Sequence, residues 1–145
     1  MKSLLLAAGL GFAASAALAA PETYVLDASH SQIVFSYSHL GFSTTTGMFS
    51  GFEGTISFDA EDPAASSVTV AFPTASLITG WDERTAHFLT EDFFGAEAAP
   101  EISFKSTAIE VTGETTGKIT GDLTINGITK PVGLDATMTP MGTHP

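Results

Sequence analysis

The amino-acid sequence predicts an all-β protein, an antiparallel β-barrel carrying one short helix or lid segment. Three observations point there. Beyond residue 20 the apolar residues recur with a period of two, the mark of strands that bury one face. Turn-forming groups stand between the alternating runs at short intervals. Only the stretch from Asp82 to Phe94 departs from the alternation.

Taken in order, Tyr24 to Leu26 makes a short opening strand, stopped by Asp27-Ala28-Ser29. Ile33, Phe35, Tyr37 and His39 then share one face, with Gln32, Ser36 and Ser38 opposite, until Leu40-Gly41 turns the chain. Met48, Phe52, Ile56 and Phe58 read as one long strand, in which Phe49 is out of phase between Gly47 and Gly51. Glycine beside a phase change predicts a bulge or sharp coil, the means by which a long strand turns a barrel corner. After Glu61-Asp62-Pro63, the residues Val68, Val70 and Phe72 alternate again. Arg84, His87, Phe88 and Glu91 then fall at helical spacing, which predicts the short helix or lid. Ile102 and Phe104 open a strand that Ile109 and Val111 continue on the other parity, so a second bulge is expected between Ser106 and Ala108. Turn residues from Gly113 to Gly117 lead to Ile119, Leu123 and Ile125. Asn126-Gly127 is the pair that a type I′ hairpin turn demands, and Val132, Leu134, Ala136 and Met138 form the returning strand. These runs make seven strands, where small closed barrels commonly use about eight. The segment Met141 to Pro145 is loop-like, so either a further hairpin completes the wall or the sheet closes by another route.

The start of the chain has its own grammar. Met1-Lys2-Ser3 is followed by an apolar run from Leu4 to Leu18 and by Ala17-Leu18-Ala19-Ala20 before Pro21, the three parts of a secretory signal peptide. Residues 1–19 are expected to be removed, with cleavage after Ala20 as the alternative, leaving residues 20–145 as a single domain. The apolar run is short of the roughly 20 residues that a spanning helix needs, and no later segment resembles one.

Without the leader, Arg84, Lys105, Lys118 and Lys130 face sixteen carboxylates. Nucleic-acid binding requires clustered Lys and Arg, and docking on an anionic membrane requires the same, so both are excluded as partners. The absence of cysteine removes disulfides, thiolate nucleophiles and cysteine-based metal centres. Stability must therefore come from a core in which Phe, eleven in the full sequence and ten beyond the leader, supplies bulk without a polar atom to satisfy. His30, His39 and His87 could supply imidazoles to a metal, yet no pair has a ligand-like spacing, and no metal or other cofactor is expected. No G-x-S-x-G, paired-His helix motif, P-loop or dinucleotide fingerprint occurs. The acidic pairs Glu61-Asp62 and Asp82-Glu83 stand in turn-like contexts, where solvated carboxylates are ordinary.

Several blocks, in order, resemble the YceI family of periplasmic polyisoprenoid-binding proteins. They are His30-Ser31 with Phe35 and His39-Leu40-Gly41; Gly47, Phe49, Phe52 and Gly54; Phe58-Asp59; Ser76 with Thr79, Arg84 and His87; Asp92-Phe93-Phe94; Pro100 to Ser106; and Gly121 to Val132 with Leu134. The resemblance runs from about Glu22 to Met138. It implies a lipocalin-like barrel and a polyisoprenoid ligand, such as an isoprenoid quinone, and it leaves a homodimer open. Two departures stand out. Thr85 follows the arginine where the family usually has Asp, which alters any ion pair made there. Family members also continue for several tens of residues through a hairpin that completes the wall.

The expected site is a tunnel for a long apolar chain, lined by Phe35, Phe52, Phe58, Phe72 and Phe104, with Tyr37, Phe88 and Phe94 beside them. A tunnel of this kind holds its ligand by removing apolar surface from water. The same rings could instead fill a solid core, and sequence alone does not separate the two. His39, Arg84 and His87 could meet a phosphate or quinone head group at the mouth, or simply anchor the lid by hydrogen bonds. Trp81 could pack over that mouth. The function expected is a periplasmic carrier or store that makes no chemical bond. The alternatives are an enzyme or redox partner acting on an isoprenoid quinone, and an envelope stress domain with no ligand.

Overall fold

The alternating runs form eight strands in the computed structural model, which describes residues 20–140 and 142. They are Glu22–Val25 (β1), Ile33–His39 (β2), Ser43–Phe49 (β3), Glu53–Phe58 (β4), Ser67–Pro73 (β5), Glu101–Val111 (β6), Thr116–Ile125 (β7) and Ile128–Thr137 (β8), with the helix Asp82–Phe88 (α1) between β5 and β6. The predicted leader, residues 1–19, lies outside the described residues.

All pairings are antiparallel. Six strands make one sheet in the order β1-β4-β5-β6-β7-β8, and β2 pairs with β3 in a separate hairpin. The run from β4 to β8 is the expected meander; β1, however, crosses over to pair with β4, as in Tyr24 opposite Ile56. Among the described residues the two sheets share no strand pairing. The hairpin is held instead by the segment after β5, where Met48 and Ile78 exchange backbone N–H···O bonds of 2.9 Å.

One expected strand is corrected. The run from Met48 to Phe58 is two strands in different sheets, β3 and β4, parted at Ser50-Gly51-Phe52. Gly51 has φ +72°, a conformation that lets the chain leave one sheet for the other. This division raises the strand count from seven to eight. The second bulge falls where expected: register shifts between Ser106 and Ala108, opposite Gly121 and Thr120. It keeps Ile109 on the same side of the sheet as Phe104 despite their opposite parity. Asn126 (φ 49°) and Gly127 (φ 69°) make the two-residue link from β7 to β8, with the positive φ at both centres that a type I′ turn needs.

The core lies between the hairpin, α1 and the six-stranded sheet. Phe49, Phe52, Phe72, Leu77, Phe88 and Ile102 are buried together, with Phe35, Tyr37, Leu89, Phe94 and Leu123 packed around them. Phe72 bridges two of these rings, 4.5 Å between ring centroids from Phe52 and 5.4 Å from Phe49. Phe94 meets Phe49 edge-on at 5.2 Å, a favoured aromatic geometry. Helix α1 has acidic Asp82 and Glu83 in its first turn and His87 in its last, the arrangement that suits the helix dipole. It spans only the first half of the predicted 82–94 segment; the second half is a series of turns that returns Phe94 N–H to the Phe88 carbonyl at 3.0 Å.

Candidate ligand-binding site

The concave face of the large sheet has two different halves. At one end the aromatic rings interlock. At the other, a cleft of about 640 Å³ lies open, lined by Tyr24, Ile56, Phe58, Val68, Ile109, Val111, Ile119, Ala136 and Met138, with Pro63, Ser66 and Thr115 among its rim residues. Strand register builds this lining. Tyr24 stands opposite Ile56, Ile56 opposite Val68, and Ile109 opposite Ile119, so apolar pairs line neighbouring strands on either side of the β5–β6 seam. Among the described residues Glu114 is the one carboxylate in the lining. Such a surface offers burial in place of chemistry.

A second cavity, about 480 Å³, is formed by Tyr37, His39, Ser43 and Thr45 of the hairpin with Trp81, Glu83, Arg84, His87, Phe88 and Phe93 of the helical segment. It shares no lining residue with the first. Arg84 Nη2 donates to the Thr79 carbonyl at 2.8 Å, and its guanidinium carbon lies 5.7 Å from the Trp81 ring centre. The Thr85 hydroxyl lies 2.8 Å from that of the nearly buried Thr79, whose backbone N–H it also accepts. A hydroxyl network thus occupies the position where an acid was expected. His87 Nε2 is 3.6 Å from Asp92 Oδ2.

The residues singled out from sequence therefore fall in three places. Phe58 lines the apolar cleft. Tyr37, His39, Trp81, Arg84, His87 and Phe88 line the second cavity. Phe35, Phe52, Phe72, Phe94 and Phe104 line neither; the first four pack in the aromatic cluster, and the buried Phe104 ring lies against Gly121. The aliphatic residues of the cleft, above all Ile56, Ile109 and Ile119, were visible as strand faces, but nothing in the alternation distinguished a hollow half from a filled one.

Two further clusters carry no chemistry of their own. Among the described residues no group of three or more His, Asp or Glu side chains is placed to hold a metal ion, so His30, His39 and His87 do not converge. Asp27, Ser29 and His30 do meet, but Asp27 Oδ2 and Ser29 Oγ both approach the same imidazole nitrogen, Nδ1, at 2.6 and 3.0 Å. A nucleophile and its orienting acid need opposite ring nitrogens. The cluster instead caps a turn, and bonds from Ser29 and His30 hold the Asp27 carboxyl well below the usual range.

A coiled antiparallel sheet with an apolar concave cleft defines a protein of the lipocalin-like barrel class. The YceI-like domain model matches residues 24–144, and the chain belongs to that family. A UPF0312 protein of Pseudomonas savastanoi pv. phaseolicola is 43% identical over 148 residues, covering all of this chain and 77% of the relative. Protein YceI of Escherichia coli O6:H1 is 39% identical over 138 residues, covering 95% and 72%. Among solved structures, Burkholderia cenocepacia BcnA superposes with a TM-score of 0.70 at 28% identity, covering 77% of this chain and 70% of its own. The Campylobacter jejuni YCEI protein superposes with a TM-score of 0.62 at 33% identity, covering 79% and 67%. No helix among the described residues is long and apolar enough to cross a membrane.

Proposed function

We propose that this protein is an exported carrier or store of a polyisoprenoid lipid, such as an isoprenoid quinone, held in the apolar cleft and shielded without any bond being made or broken. The observation that carries the reading is the cleft itself. Its volume of about 640 Å³ lies within the roughly 300–1,000 Å³ of small-molecule sites. Its walls are the branched and aromatic side chains of five adjoining strands, backed by Met138. An apolar tail laid along Tyr24, Ile56, Phe58, Ile109 and Ile119 gains by leaving water, at about 25 cal/mol per Å² of apolar surface removed. An isoprenoid is chosen over other apolar chains on the strength of the resemblance to the YceI family. Release into the periplasm follows from the predicted leader, with residues 20–145 acting as one domain. The aromatic half of the concave face serves as a plug that limits how far a tail can run.

Native mass spectrometry and solvent extraction of the protein purified from cells test this directly. A bound isoprenoid is expected, and added isoprenoid should bind the emptied protein. Protein that is lipid-free in every preparation and takes up no isoprenoid overturns the proposal.

A further inference from the structure

The only arginine in the chain stands without a counter-charge in a protein that carries sixteen carboxylates. Among the described residues the ion contacts are Asp27 with His30 and Asp92 with His87, and none involves Arg84. The guanidinium is only half-exposed to begin with. Its Nη2 is committed to the Thr79 carbonyl, one face is turned to Trp81, and its Nε is buried with no hydrogen-bond partner. A buried N–H left without an acceptor, on a charged group, is costly to maintain. Yet the side chain lines a cavity of about 480 Å³ whose other polar walls are His39, Ser43, Thr45 and His87, with Glu83 the one carboxylate.

We infer that this second cavity is a site for an oxyanion, a phosphate or carboxylate group, held on the edge of the Arg84 guanidinium. The planar fork of arginine matches two oxygens of such a group, and the bonds are charge-assisted. Ser43 and Thr45 add hydroxyl donors, and His39 and His87 add ring nitrogens. Because the two cavities share no lining residue, this inference stands whether or not the apolar cleft carries an isoprenoid. The oxyanion could be a free ion or the head of an amphiphile, and the chemistry at Arg84 is the same for both.

Since Arg84 is the sole arginine, its Nε–H gives the only arginine Nε signal in a ¹⁵N NMR spectrum. The full chain is titrated with inorganic phosphate, with farnesyl monophosphate and with farnesol, following that signal and measuring affinity by calorimetry. Both phosphates are expected to move the signal while farnesol leaves it in place, and Arg84→Gln is expected to weaken phosphate binding roughly tenfold or more. Movement with farnesyl monophosphate alone assigns the oxyanion to an amphiphile head. A signal unmoved by saturating amounts of both phosphates, or one that farnesol moves as far as farnesyl monophosphate does, overturns the inference. Should Arg84→Gln not fold, the signal of the unsubstituted protein still decides.

Discussion

Phe35 lies directly across the β2–β3 ladder from Gly47, and its ring occupies the space that a side chain at 47 would need. The same ring packs on Phe49 at 5.7 Å and on Phe94 at 6.4 Å, so the glycine is what allows the hairpin to press its aromatic face onto the core. Gly47→Ala is expected to displace Phe35 and to cost about 1–3 kcal/mol, the range for overpacking a filled interior. Urea unfolding of the two proteins measures it.

Phe72 and Ile119 separate the filled half from the hollow one. Phe72 is 5% exposed and touches two other rings, so Phe72→Ala should cost about 3–5 kcal/mol. Under conditions where that variant is still folded, uptake of an apolar ligand should survive. Ile119→Lys should do the reverse, abolishing uptake by placing a charge in the cleft. Thermal unfolding paired with a fluorescent-lipid displacement assay reads both, and a loss of binding confined to the Phe72 variant would contradict this division of labour.

The Thr74 side chain is fully buried and its hydroxyl donates to the Ala99 carbonyl at 2.7 Å, tying the end of β5 to the approach to β6. Thr74→Val preserves the shape but leaves that carbonyl without its donor. A loss of about 1–3 kcal/mol is expected, measurable by denaturant titration.

Asp27 predicts a pH dependence whose sign can be worked out. Its carboxyl is held below the ordinary range by the Ser29 hydroxyl first and His30 next, so the charged form is favoured in the native state. A lowered native pKa contributes stability that is fully present above the unfolded value of about 3.9. That contribution is lost progressively as pH falls below it toward the native value. The stability difference between the native sequence and Asp27→Asn should therefore be constant near neutrality and shrink below about pH 4. A difference that stays constant on acidification would show that the turn draws nothing from this carboxylate.

Alternation carried most of the strand assignment, because strands such as β5 and β6 keep one face against the interior. The Asn126-Gly127 turn and the bulge after Ser106 could be placed from sequence for the same local reason, a backbone demand that few residues meet. Gly51 could not be resolved in that way. A bulge within a strand and a passage between sheets both put glycine beside a change of phase, and only the partners of each segment tell them apart. Phe49 was set aside as out of phase on the assumption of one strand; once β3 and β4 are separate, it becomes a centre of the core. The candidate site was legible only in part for a similar reason. Period-two patterning says which side chains face inward but not how far apart the inward faces stand. Phe35 and Phe72 met other rings while Ile56 and Ile119 met open space. The pair Arg84 and His87 is legible from helical spacing and from the family-like block, whereas the contribution of Ser43 and Thr45 to the same cavity depends on how the hairpin docks.

The slipped register in β6 gives one strand two allegiances. Upstream of it, Ile102 and Phe104 belong to the filled half of the wall; downstream, Ile109 and Val111 line the open cleft, the half that would meet a guest under the proposed function. Relatives that favour longer or shorter guests could thus differ by exchanging side chains beyond Ala108 while everything before Ser106 stays frozen. Selectivity and durability would then drift as separate traits along a single stretch of backbone.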